Sequence, residues 1–188
     1  QRQMCIRDRT LKDAAGQPVA IPADTSGSYA VYEFLTAPGT YTYEARDTVR
    51  GVDYQIGTGT LTVTEGSGEQ TFELYLVYVY AVEIDWTADD FTTEVKAADG
   101  TVMTPGEPHK FASYVGYPYL MAPGTYTWSV QPSEARAAEG YQASQPTSQK
   151  LTGSASWSVT LPQIVSTDFV VPKGGRVVMH SIPATTYG

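Results

Sequence analysis

The sequence predicts an all-β protein of small antiparallel β-sandwich modules in tandem, on three observations. The hexapeptide APGTYT occurs twice, at 37–42 and at 122–127, an interval of 85 residues. Gly, Pro, Asp and Ser turn signals recur between short stretches that alternate hydroxyl with apolar or aromatic side chains, the pattern of short strands joined by turns. Only Ser133–Glu139 reads as helical, and as a single turn. Within APGTYT, Pro holds φ at a turn value and Gly accepts a positive φ, so Pro-Gly is expected to form a tight turn. The residues that follow, Thr-Tyr-Thr-Tyr in one copy and Thr-Tyr-Thr-Trp in the other, suit a half-buried strand.

The repeat reaches well beyond the hexapeptide. Residues 28–42 and 113–127 are identical at ten of fifteen positions. The offset is 87 where Asp53-Tyr54-Gln55 answers Gly140-Tyr141-Gln142. It is 85 again where Phe72, Leu74 and Leu76 answer Trp157, Val159 and Leu161, and 84 where Leu11-Lys12 and Gly16 answer Val95-Lys96 and Gly100. Constant spacing in strands with small slips in loops is the mark of homologous modules. The division expected is module one at 10–78, module two at 79–163 and the start of a third, truncated unit at 164–188. Modules of this size can hold their own cores.

Residues 1–9 stand apart: they hold three of the twelve basic residues and Cys5, the only cysteine, and show no strand pattern. They look like translated adapter read-through at the end of a metagenomic reading frame, and are set aside as non-native. Without them the charge moves from −8 to −10, through loss of three Arg and one Asp, and no cysteine is left for a disulfide or for thiol chemistry. The strand opening module two, Val79–Trp86, would then have its counterpart ahead of residue 10, so module one is expected to lack its first strand and to expose a sheet edge. The acidic balance argues against nucleic acid and anionic membranes as partners, and no window is long and apolar enough for a membrane span.

In chain order, residues 11–27 read as a short strand with turns, 28–35 and 40–46 as strands, 50–53 as a loop, 58–64 as a strand and 65–69 as a turn. The apolar even positions from Phe72 to Trp86 read as the last strand of one module running into the first of the next, a stiff junction, with one long strand as the alternative. Strands follow at 92–98, 110–119, 125–131, 147–151 and 154–161, with a turn at Asp99-Gly100 and a loop from Pro105 to Pro108.

Pro38-Gly39-Thr40-Tyr41, Asp53-Tyr54 and Phe72–Leu76, with Pro123-Gly124-Thr125-Tyr126, Gly140-Tyr141 and Trp157–Leu161 in the second copy, resemble the prealbumin-like or Ig-like β-sandwich repeats of bacterial surface proteins. These include the carboxypeptidase-regulatory-like, PEGA-like and collagen-adhesin B-type modules. The resemblance covers 10–163 and implies an extracellular, wall- or surface-attached stalk or adhesin segment. Some collagen-adhesin modules carry a Lys–Asn or Lys–Asp isopeptide bond. The chain has no Asn, Val79–Trp86 has no Lys and Trp157–Leu161 has no Asp, so none is expected.

No catalytic constellation, metal site or cofactor site is read from the residues. His109 and His180 lie in different units without ligands at metal spacing and read as surface or loop residues. No G-x-S-x-G occurs, and Lys173-Gly174-Gly175-Arg176 is a hairpin turn rather than a phosphate loop. Glu83, Asp85, Asp89 and Asp90 read as a solvated acidic face rather than a Ca²⁺ site. The one candidate ligand site is Tyr114, Tyr117 and Tyr119, since exposed tyrosine rings stack on sugars. The competing reading of these and of Tyr29, Tyr32 and Phe34 is core. The function expected is a non-enzymatic structural or adhesive stalk of a secreted or cell-surface bacterial protein, with host or cell-wall glycan or protein as the partner class. The alternatives are a carbohydrate-binding module, which requires those tyrosines to be exposed, and a spacer of a larger extracellular enzyme.

Overall fold

The computed structural model describes residues 6–20, 36–49, 52–66, 70–164 and Lys173. The expected strand at 28–35 and nearly all of the third unit lie outside the described residues. The first sheet holds β1 (Ile6–Lys12), β2 (Pro18–Val19), β3 (Gly39–Val49) and β4 (Val52–Val63) in the order β2-β1-β3-β4, all antiparallel. Residues 6–9, expected to carry no strand, continue β1 against β3 as far as the pair Ile6↔Asp47. A ladder is made by backbone groups, so a strand can extend without an alternating side-chain pattern. β4 likewise begins six residues before the Thr-rich stretch, because β3 runs on to Val49 and supplies its partner.

Seven further strands form two sheets over one core. They are β5 (Tyr75–Ala81), β6 (Phe91–Ala97), β7 (His109–Lys110), β8 (Val115–Met121), β9 (Gly124–Pro132), β10 (Thr147–Leu151) and β11 (Ala155–Val159), with helix α1 at Glu134–Ala138. The sheets are ordered β10-β9-β6 and β11-β5-β8-β7. With a side-chain period of two, each strand sends alternate residues inward: Val77, Val79 and Ala81 from β5, Tyr119 and Met121 from β8, Tyr126, Trp128 and Val130 from β9, and Trp157 from β11. Ser133 caps α1, accepting from the Arg136 N–H at 3.4 Å, and the Arg136 side chain pairs with Asp90 at 2.8 Å.

Three expectations are corrected here. Of residues 72–86 only Tyr75–Ala81 form a strand, β5, which spans the expected boundary between 78 and 79 without filling the whole apolar run; after β5 the chain turns at Asp85 (φ 66) and returns Trp86 to the core. The stretch 110–119 is broken into β7 and β8 by a turn closed by the Phe111 N–H and the Tyr114 carbonyl at 2.8 Å. Finally, β11 runs parallel to β5, from Ala155↔Val77 to Val159↔Ala81, while every other pairing among the described residues is antiparallel. A parallel pair needs a long crossover, and the whole of β6 to β10 supplies it.

Local structure recurs at the repeat offset. Leu11↔Tyr43 and Lys12↔Thr42 are matched by Val95↔Trp128 and Lys96↔Thr127. The turns after them share two backbone bonds: Asp13 N–H to Gln17 O and Gly16 N–H to Asp13 O in one, Ala97 N–H to Thr101 O and Gly100 N–H to Ala97 O in the other. Gly16 and Gly100 both take positive φ, 76 and 86, which favours glycine there.

Both APGTYT copies also close in the same way. The Tyr41 hydroxyl donates to Ala37 O at 2.6 Å and the Tyr126 hydroxyl to Ala122 O at 2.8 Å. The two glycines differ: Gly39 takes a positive φ of 157, whereas Gly124, expected to do the same, is not among the positive-φ glycines. Both open strands, and the tyrosine ring two residues on lies against them, at 3.4 Å from a Cβ built on Gly124. Tyr126→Phe is expected to lower stability by about 1 kcal/mol, the net worth of one hydrogen bond, in urea unfolding; Tyr41→Phe acts in the same direction on the first sheet.

The first sheet packs on the outer face of the β5–β8 sheet through Ala45, Ile56, Leu76 and Leu120. Gly57 allows the approach, since a Cβ there would come within 2.5 Å of Leu120 Cβ.

Candidate functional site

β8 decides the fate of the proposed tyrosine platform. Tyr117 and Tyr119 have the parity of Val115 and Met121 and point to the core side, while Leu120 faces the first sheet. Tyr119 is 0% exposed. Its hydroxyl lies 2.8 Å from Thr93 Oγ1, and burial pushes its pKa up to about 12. Tyr117 is half-buried, edge-on to Phe91 at 5.3 Å, and its hydroxyl donates to Ala88 O at 2.7 Å. Burial, and then the nearby Asp89 carboxylate, raise its pKa.

Tyr114 precedes the strand and turns elsewhere, stacking on Tyr80 at 4.5 Å and on Phe111 at 4.8 Å. The three rings therefore do not form one exposed face. A buried ring offers no surface to a sugar, so Tyr119 drops out as a ligand contact and Tyr117 serves the core. Tyr29, Tyr32 and Phe34 lie outside the described residues.

What the structure gathers around Tyr114 is an aromatic cluster that sequence spacing does not show. Phe111 sits edge-on to both Tyr78 (5.0 Å) and His109 (4.6 Å), and His109 meets Tyr54 of β4 edge-on at 4.9 Å. His109, expected at the surface, is buried at this seam between the first sheet and β7. Its surroundings come from three separate stretches of chain, which is why spacing along the sequence misses them. The seam is tied by the backbone as well, with the Glu107 N–H donating to Gln55 O at 2.8 Å.

The acidic residues take separate roles. Asp90 accepts from the Thr87 N–H at 2.6 Å and from Arg136 at 2.8 Å, and these bonds, the Thr87 backbone first, hold its carboxyl below the usual range. Glu83 accepts from the Leu161 N–H at 3.2 Å. Among the described residues no three His, Cys, Asp or Glu side chains gather in a metal-holding group.

A groove of about 640 Å³ lies beside the first sheet. Tyr43, Leu61, Phe72 and Leu74 line it together with Met103, Met121 and Tyr126 of the two-sheet part. Phe72, expected in a strand like its counterpart Trp157, lies in none and is 42% exposed. Burial raises the pKa of Tyr43, with Tyr126 nearby adding to it.

No protein-family model matches the chain, and no curated protein matches it in sequence. No helix among the described residues is long and apolar enough to cross a membrane.

Proposed function

We propose that this chain is a non-enzymatic stalk segment, structural or adhesive, of a secreted or cell-surface bacterial protein, built of tandem prealbumin-like β-sandwich modules with a period of about 85 residues. The observation that carries the reading is the parallel pairing of β5 with β11. These are the strands by which the chain enters and leaves the two-sheet part. In a parallel pair the start of β5 and the end of β11 lie at opposite ends of the ladder. Tension along the chain therefore acts along the strands, and the hydrogen bonds of five residue pairs must fail together rather than in turn. The Val82 N–H to Val159 O bond at 2.9 Å prolongs the same ladder.

The recurrence of register, turn and tyrosine closure at the repeat offset supports the tandem organisation. The seam around His109, Tyr54 and Gly57 supports a stiff joint between consecutive units, as a stalk requires. The experiment that tests the reading is mechanical: the β5–β11 pair is stretched along its strands and, through a second attachment, across them.

A further inference from the structure

Fourteen tyrosines and a single cysteine make this chain rich in phenol and unable to form an internal disulfide. Among the described residues only one pair of tyrosine rings meets, Tyr80 of β5 and Tyr114 of the turn before β8. Their centroids lie 4.5 Å apart with planes 21° from parallel, at the near end of the range that aromatic pairs adopt. The backbone fixes the pair from two sides. The Phe111 N–H donates to the Tyr114 carbonyl at 2.8 Å and closes the turn, and the Asp85 N–H donates to Ser113 O at 3.3 Å and ties that turn to the chain just beyond β5. Phe111 also stacks on Tyr114, at 4.8 Å with planes 23° apart. Gly116 leaves room for the Phe111 ring, since a Cβ there would meet it at 3.1 Å. Of the two rings stacked on Tyr114, only Tyr80 carries a hydroxyl.

We propose that Tyr80 and Tyr114 form a site of oxidative cross-linking, at which a carbon–carbon bond joins the ring carbons next to their hydroxyls. Each phenol gives one electron to a one-electron oxidant, of the peroxidase or oxidised-metal-complex class, and releases its proton to water. The two phenoxyl radicals couple, and the hydrogen on each coupled carbon moves to oxygen and restores the hydroxyl. Two electrons and two protons leave in all, and the oxidant is reduced by the same two electrons. Both rings are half-buried, so a dissolved oxidant reaches them, whereas Tyr41, Tyr119 and Tyr126 are buried. Contact before reaction replaces a chance encounter of two radicals with a coupling inside one molecule. The bond closes a loop that holds β6 and β7, and it constrains the unfolded chain as a disulfide does. This goes beyond the stalk reading and stands or falls separately from it.

The test gives the dilute 188-residue chain a brief flash of visible light with a ruthenium(II) tris-bipyridyl sensitiser and persulfate, which together supply the one-electron oxidant. The expected product is a monomer lighter by two hydrogen atoms, with the blue fluorescence of coupled tyrosines. Cleavage after Lys and Arg places Tyr80 in the peptide 51–96 and Tyr114 in the peptide 111–136. These two are expected as one joined species, and fragmentation by mass spectrometry assigns the bond to Tyr80 and Tyr114. Tyr80→Phe and Tyr114→Phe keep the stacked rings and each lower the yield of joined species about tenfold or more, as does unfolding in urea, because the contact supplies the effective concentration. Tyr75→Phe, at the other end of β5, leaves the yield unchanged, and tryptophan fluorescence verifies that each variant is folded. Products joined chiefly between molecules, a bond assigned to another pair of tyrosines, or an unchanged yield in Tyr114→Phe would overturn the proposal.

Discussion

Trp157→Ala lowers the stability of the two-sheet part by about 3–5 kcal/mol, the range for removing a large aromatic from a packed core. Trp157 is buried on β11, stacks on Trp128 at 6.0 Å and approaches Tyr126 at 6.4 Å. Among the described residues β11 has a single neighbour in its sheet, so its hold on the fold depends on this side chain more than a central strand's would. A domain commonly has only about 5–15 kcal/mol in total, so the variant sits near the edge of folding.

Trp157→Phe separates packing from hydrogen bonding. The indole Nε1 of Trp157 is buried without a hydrogen-bond partner among the described residues, and such a group carries a desolvation cost. Phenylalanine loses area but removes that orphan, and the expected cost is about 1 kcal/mol, well below that of alanine. Urea unfolding followed through the fluorescence of Trp86 and Trp128 measures both variants. Equal losses for Ala and Phe would contradict this account of the core.

Alkaline pH gives the second large effect. The Tyr119 pKa stands at about 12 against 10.0 for an ordinary tyrosine, with burial as the first cause. The raised value means that the folded state binds the phenolic proton more tightly than the unfolded state does. The stabilisation is therefore complete below pH 10 and is lost as pH rises from about 10 to about 12. Its size is about 2–3 kcal/mol for a shift of this extent. Tyr43, Tyr117 and Tyr126 are displaced in the same direction by burial and steepen the loss. Tyr119→Phe is expected to cost about 1 kcal/mol near neutrality, for the bond to Thr93, and to flatten the decline in unfolding free energy between pH 10 and 12. A variant that declines as steeply as the parent would refute the assignment.

The parts of this fold legible in the sequence are those set by neighbours along the chain. β6, β9, β10 and β11 fall within two residues of the alternating stretches at 92–98, 125–131, 147–151 and 154–161, and the Ser133 cap opens the expected helical turn. The alignment of Leu11-Lys12 with Val95-Lys96 foreshadows matching ladder registers. What was not legible depends on distant partners. The even-numbered apolar run from Phe72 to Trp86 looks the same whether its residues face one core or two, and only the pairing with β8 and β11 places β5 in the two-sheet part. The platform of Tyr114, Tyr117 and Tyr119 failed on parity, since the side that Tyr117 and Tyr119 face is the core. The groove combines Tyr43, Leu61, Phe72 and Met121 from well-separated stretches, and no local pattern announces such a meeting.

Force applied through the β5–β11 pair tests the central claim most directly. In one attachment handles are placed at Tyr75 and Val159, so that the parallel ladder is sheared; in the other they are placed at Tyr75 and Ala155, which lie at the same end of the pair, so that it is unzipped. Forced unfolding is governed by the barrier rather than by equilibrium stability, so the same protein can resist the two directions differently. The stalk reading predicts an unfolding force severalfold higher in shear than in unzipping. Equal forces in the two geometries would contradict it.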